Sequence, residues 1–305
     1  MKNFICFAAV FFTVVACTID KTDYEAETDN VVPDKQEFKE VFSFEQEQYR
    51  IYAEALDGKL YKGYNEIRLH LVNTSTKQEI EDATITFLPV RTTTAGKKES
   101  CPNVYQLKFQ PQEKYYKGYS VFTEESTTGK WEVFLHFSIG KQHFEQVQPL
   151  VVLPQSNMNL NMTSFTGHDQ EQYLIALISP IKPKVAENKL TAGIFKYNAA
   201  LEEVTTEVTS LQHAYSLVEN YKLFLDPRMP EPSMGNHSSP NNRDLIQGED
   251  SLYHGVVNYT MTGNWTLNFI LQNNQGRILK GTKVPTDFTP GVEGVKSELF
   301  IDILF

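Results

Sequence analysis

Cysteine is almost missing from this chain: three residues, Cys6, Cys17 and Cys101, in 305. That excludes a disulfide-stapled scaffold and a thiolate zinc site, so stability has to come from core burial. Basic runs are missing as well. Lys and Arg number 28 against 38 Asp and Glu, a net charge of -10, and no stretch clusters the cations that a phosphate backbone requires. Long apolar runs are missing too; Phe4 to Val15 is too short to span a bilayer. So are the usual catalytic signatures: there is no Gly-x-Ser-x-Gly elbow, no phosphate-binding Gly-rich loop and no His-Glu-x-x-His, and Cys101 has no evident His partner. An enzyme is not expected, although an acidic chain always leaves a glycosidase-like carboxylate pair open.

What is present begins at the N-terminus. Lys2, the apolar run and Val14-Val15-Ala16-Cys17 follow the order of a secretory leader, and the ending resembles the bacterial lipobox. The expected products are a signal peptide over 1–16 and an acylated Cys17 as lipid attachment site, anchoring the chain in the bacterial envelope, in the outer membrane facing periplasm or cell surface. Several acyl chains hold durably, since each buried methylene contributes about 0.8 kcal/mol. Removing Cys6 and acylating Cys17 leaves Cys101 alone. Residues 17–44, rich in Asp, Glu, Lys and Thr, read as a solvated tether, with folding expected to start near Tyr49.

From there the composition favours strands: 20 Phe, 15 Tyr and 2 Trp suit a pleated, half-buried surface. Short alternating or β-branched runs, separated by turns such as Asp57-Gly58, Lys62-Gly63 and Thr128-Gly129, have the spacing of antiparallel sandwiches. The reading is all-β, with one sandwich over 45–155, a polar linker over 156–171 and a second sandwich over 172–305. The two halves are copies of one pattern. Tyr116-Lys-Gly118, a short strand and Gly129-Lys-Trp131 answer Tyr253-His-Gly255, a short strand and Gly263-Asn-Trp265; upstream, Gly63-Tyr-Asn65 answers Glu187-Asn188. The Gly-x-Trp pairs read as core plugs, each buried indole worth about 1.5–3 kcal/mol; exposed rings that stack on sugar are the alternative.

The copies diverge at one place. Pro89 to Pro102 in the first carries neither Met nor His, whereas Pro227-Arg-Met229-Pro-Glu-Pro-Ser-Met234-Gly-Asn-His237-Ser-Ser-Pro240 carries two thioethers and an imidazole. Ser-x-Pro closes both segments. Prolines are expected to keep the second segment out of helix and central strand. Thioether beside imidazole is a donor set that selects Cu(I) over harder ions. The other reading is packing: flexible thioethers filling the open end of a sandwich, with His237 capping a turn through Ser238. In the first copy the corresponding region holds Thr92, Thr94 and Glu99, and only Cys101 is soft. Asp226 reads as a turn cap or a cation-steering group, and His70 as a surface histidine.

The Met- and Pro-bearing segment, the His-Ser-x-Pro turn, Tyr-x-Gly and Met261-Thr-Gly-Asn-Trp265 together resemble the YtkA-like and FixH-like domains of bacterial envelope proteins. Tandem domains behind a lipobox are similar to Bacteroidetes-type lipoproteins. The resemblance spans about residues 45 to 305, is strongest over 227 to 271 and weak over 172 to 225. It implies two tandem immunoglobulin-like antiparallel β-sandwich domains and a role in copper handling or oxidase assembly. Carried over residue by residue, the family's metal positions are Met229, Met234 and His237, with Met261 as a neighbour. Two functions follow as expectations: a non-enzymatic lipoprotein binding or transferring Cu(I) through the second domain, or a structural lipoprotein that carries no metal and serves an envelope protein partner such as a transporter or assembly complex.

Overall fold

The computed structural model describes residues 37–155, 160–199 and 208–305. The expected signal peptide, the expected lipid attachment site Cys17 and the expected tether up to residue 36 lie outside the described residues, as does Met158.

The first unit contains β1 (Phe38–Gln46), β2 (Tyr49–Leu56), β3 (Leu60–Tyr61), β4 (Gly63–Asn73), β5 (Thr84–Thr93), β6 (Lys98–Ser100), β7 (Lys108–Gln110), β8 (Tyr115–Phe122), β9 (Gly129–Ile139), β10 (Gln142–Leu150) and β11 (Val152–Leu153). One sheet has the order β1-β2-β4-β8-β7 and the other β10-β9-β5-β6. With β2, β4, β8 and β7 as strands A, B, E and D, and β5, β9 and β10 as C, F and G, this is the immunoglobulin arrangement of two antiparallel sheets. Its core is built by alternation: Ile67, Leu69 and Leu71 of β4 face Trp131, Val133, Leu135 and Phe137 of β9 in one buried cluster.

The second unit contains β12 (Met162–Thr166), β13 (Gln172–Ser179), β14 (Glu187–Tyr197), β15 (Tyr215–Leu217), β16 (Lys222–Met229), β17 (His237–Ser238), β18 (Arg243–Gln247), β19 (Tyr253–Asn258), β20 (Asn264–Gln272), β21 (Ile278–Lys280) and β22 (Leu299–Leu304). The order β12-β13-β14-β19-β18 repeats that of the first unit, and β16 pairs β20, which pairs β22. Here β18 bonds both β19 and β16, so the two layers run into one folded sheet around a second core. The chain is thus all-β, two immunoglobulin-like sandwiches of matching topology.

The matching extends to hydrogen bonds. Asn65 receives the Tyr61 N–H and donates to Tyr61 O and Gly63 O; Asn188 receives the Lys184 N–H and donates to Lys184 O and Ala186 O. The Tyr116 hydroxyl donates to Ile80 O at 3.0 Å and accepts from Ala83 N at 2.9 Å. The Tyr253 hydroxyl donates to Val218 O at 2.9 Å and accepts from Tyr221 N at 3.2 Å, with the same residue spacing. Each tyrosine ties strand E to the loop between strands B and C. The glycine two residues later lets strand D close: a Cβ on Gly118 would run into Leu107, and one on Gly255 into Leu245 and the Arg243 carbonyl.

Three sequence expectations are corrected. The fold begins at β1, ahead of Tyr49; a bulge between Glu40 and Phe42 breaks the two-residue period, although Val41, Phe42 and Phe44 pack on the first core. The expected linker contains β12, which hairpins onto β13 and opens the second unit. Met229 and its approach, expected as loop, form the end of central strand β16, with Pro227 opposite Leu267. That strand's other flank meets β18 at Lys222 and Leu223 and β17 at Arg228 and Met229. Between them the Leu225 N–H bonds the Asp244 carboxylate instead of a strand, an open flank where proline is tolerated.

The units share buried surface. Val121 with Tyr64 and Tyr119 of the first packs on Leu174, Ala176 and Phe195 of the second, and Leu211 covers Leu88 and Val90.

Candidate metal centre in the second sandwich

The strand end of β16 and the short β17 pair antiparallel, with Met229 opposite His237 and Arg228 opposite Ser238. In the first sandwich β5 and β6 pair in the same way, with Arg91 opposite Glu99 and Val90 opposite Ser100. The same spacing separates Pro89 from Ser100 and Pro227 from Ser238, so Arg91 and Met229 are equivalent, as are Glu99 and His237. At that position the first copy holds an ion pair: Arg91 Nη1 is 3.1 Å from Glu99 Oε2, and Nη2 donates to Thr128 O and Oγ1 at 2.9 Å. The second copy holds a thioether and an imidazole.

The Gly-x-Trp element serves both. A Cβ on Gly129 would lie 2.9 Å from Arg91 Nε, and a Cβ on Gly263 would lie 2.9 Å from Met229 Cε. The glycine leaves room for the side chain at the end of strand C, whichever it is. Two residues on, Trp131 and Trp265 are fully buried, Trp131 donating to Glu124 O and Trp265 to Met261 O. They are core residues, which leaves no face for a sugar.

Around this pair the remaining candidates gather. Met234 and Met261, both half-buried, pack on the core that contains Met229, Tyr259 and Trp265. The His237 N–H donates to Met234 O at 3.2 Å, closing the turn directly. Ser239 rather than Ser238 ties the turn to its neighbours, through Asn258 O and Asn242. The His237 ring lies edge-on to Trp265 at 6.2 Å, with Nε2 2.8 Å from Thr260 Oγ1. Met229 is 2% exposed. Tyr259 replaces the first copy's Phe122 against the tryptophan; its hydroxyl is buried with no hydrogen-bond partner, and burial pushes its pKa well above the ordinary range.

Asp226 neither caps a turn nor faces outward alone: Arg228 bonds it at 2.8 and 3.2 Å. His254 meets Asp250 and Thr191. His70, half-buried rather than a free surface ring, sits between Glu54 and Glu79 and stacks on Tyr52 at 4.5 Å. Cys101 is 1% exposed, and burial pushes its thiol far up, which disfavours the thiolate a metal needs. Among the described residues no three His, Cys, Asp or Glu side chains converge as a metal site. Any metal affinity of this end therefore rests on thioethers with one imidazole, a donor set that fits Cu(I).

No family model matches the chain, and no curated protein does. Among solved structures it is similar to a chimeric titin Z1Z2-Z1Z2 tandem functionalised with a GRGDS peptide from fibronectin, at 12% identity over 72% of this chain and 88% of that one, with a TM-score of 0.18. An overlap that loose carries no weight for fold or function.

Proposed function

We propose that this chain is a lipid-anchored, non-enzymatic lipoprotein of the bacterial envelope, built from tandem YtkA-like/FixH-like domains, and that its second sandwich binds or transfers Cu(I). The observation that carries the reading is the exchange of the Arg91–Glu99 ion pair for Met229 opposite His237 at equivalent positions of a duplicated fold. A hard, self-neutralising pair has given way to soft neutral donors, with Met234 and Met261 beside them. Met229, Met234 and His237 would hold the ion and Met261 would flank it. Bound copper supplies no bond-breaking chemistry in this reading; it is cargo, anchored near the membrane by Cys17.

The test is competition for Cu(I) between residues 18–305 and a Cu(I)-selective chelator, with Met229→Ala/Met234→Ala/His237→Ala alongside. Binding confined to the wild type supports the proposal. Equal, negligible binding by both sinks it.

A second reading rests on the burial of Met229 against Gly263, where the thioether packs as any core side chain does. It makes the tandem a structural or protein-interaction lipoprotein serving an envelope complex. Partner capture from detergent extracts that survives the triple change favours it.

A further inference from the structure

The first sandwich joins β9 to β10 through Gly140 and Lys141 alone, whereas the second sends residues 281–298 on an excursion before β22. We infer that this excursion is a strap that closes over the Met/His turn and gates access to it. The inference rests on the metal reading only for what passes the gate.

The base of the strap is fixed. Ser297 is 2% exposed; its N–H donates to Asn268 Oδ1 at 2.8 Å, and its hydroxyl donates to Phe269 O and accepts from Thr282 N, both at 2.9 Å. Gly281 crosses directly over the Phe269 carbonyl, at a positive φ of 98 and with no room for a Cβ. Further out, three contacts hold the strap to the turn. Gly294 N donates to Pro230 O at 2.7 Å, Asn236 Nδ2 donates to Pro285 O at 3.2 Å, and the Phe288 ring lies 3.5 Å from the Cβ position of Gly235. The turn is shaped for them, since Gly235 and Asn236 both take left-handed φ values, 64 and 52.

The closure is incomplete in one respect that makes it releasable. Asn236 is 5% exposed, and its Oδ1 accepts no hydrogen bond beneath the strap. Lifting the strap hydrates that oxygen, so opening recovers part of what the lost contacts contribute. The tip carries Phe288, Val292 and Val295 at 46%, 56% and 62% exposure, so little apolar burial holds it down. Strap and thioether-bearing turn occur in the same copy and touch; the first copy has neither.

The test reads accessibility without metal. Full-length protein and its Phe288→Ala/Gly294→Ala variant are treated with hydrogen peroxide, and sulfoxide is followed residue by residue by mass spectrometry. An alanine at position 294 would lie 2.7 Å from Asn236 Oδ1, so it pushes the latch open. Met234 is expected to oxidise about threefold faster or more in the variant, with Met162 unchanged as the internal control. A wild-type rate at Met234 overturns the strap. If the double variant melts early and every methionine speeds up, the single Phe288→Ala change decides by the same criterion, because Phe288 is outside the core. A parallel release assay is expected to show faster loss of Cu(I) from the variant to a chelator. Faster Met234 oxidation in a protein that never binds Cu(I) leaves the strap standing and removes the metal reading.

Discussion

Met229 and His237 face each other across the β16–β17 pair at the position where the first sandwich joins Arg91 to Glu99. Both pairs sit under the same glycine and beside the same buried tryptophan, so one scaffold has been fitted with two kinds of chemistry.

Exchanging the pairs tests that equivalence. Met229→Arg alone places an unpaired guanidinium beside Trp265 and is expected to cost about 3–5 kcal/mol. Adding His237→Glu supplies the partner and is expected to recover much of that loss. Urea denaturation of both single variants and the double variant gives the coupling; a coupling near zero would mean the positions are not equivalent.

Gly263 combines a positive φ of 123 with Met229 Cε 2.9 Å from its Cβ position. Gly263→Ala is expected to lower stability by about 1–3 kcal/mol through strain and overpacking. Trimming the neighbour in Gly263→Ala/Met229→Ala removes the clash and leaves only the strain and the cavity. Thermal melts of the three variants separate the contributions.

Tyr116 and Tyr253 should behave as twins. Tyr116→Phe leaves the half-buried Ile80 carbonyl and Ala83 N–H without their hydroxyl partner, and Tyr253→Phe does the same to the Tyr221 N–H while the Val218 carbonyl keeps Gln247 Nε2, at a cost of about 1–3 kcal/mol each. Burial, the leading cause, pushes both hydroxyls up to about 12. In the unfolded chain they ionise near 10. Their contribution is therefore complete below about pH 10 and is lost as the pH rises through about 12, because the unfolded state releases the proton first. Stability measured across that window should fall less steeply in Tyr116→Phe/Tyr253→Phe than in the wild type.

Cys101 is buried and held protonated, so a disulfide reagent at neutral pH should leave it untouched in the folded protein and modify it at once in urea. Prompt reaction in the native state would contradict its placement in the core.

Part of the fold was legible because several strands bury alternate residues: β4 and β9 spell their core faces in Ile67, Leu69, Leu71 and in Val133, Leu135, Phe137. The elements that escaped are those where alternation fails for a local reason. β1 carries a bulge, β12 is an edge strand, β6 and β17 are too short to show a period, and Pro227 disguised the end of β16. The candidate site was legible only as residue types, since Met229, Met234 and His237 stand out against a first copy with neither Met nor His there. Arg91 was missed, although the equal spacing of Pro89 to Ser100 and Pro227 to Ser238 already set it opposite Met229 in the alignment. The strap was not legible at all, because its hold on the turn runs through two backbone carbonyls, one amide side chain and a ring lying on a glycine, none of which forms a sequence pattern.

Cu(I) competition on residues 18–305 bears hardest on the proposed function, with Met229→Arg/His237→Glu as the control that keeps the first sandwich's own solution in the second. Wild-type protein is expected to take Cu(I) from the chelator at one equivalent while the folded double variant takes none. Equal uptake by the two, or none by either, would contradict a metal centre at the Met229–His237 pair.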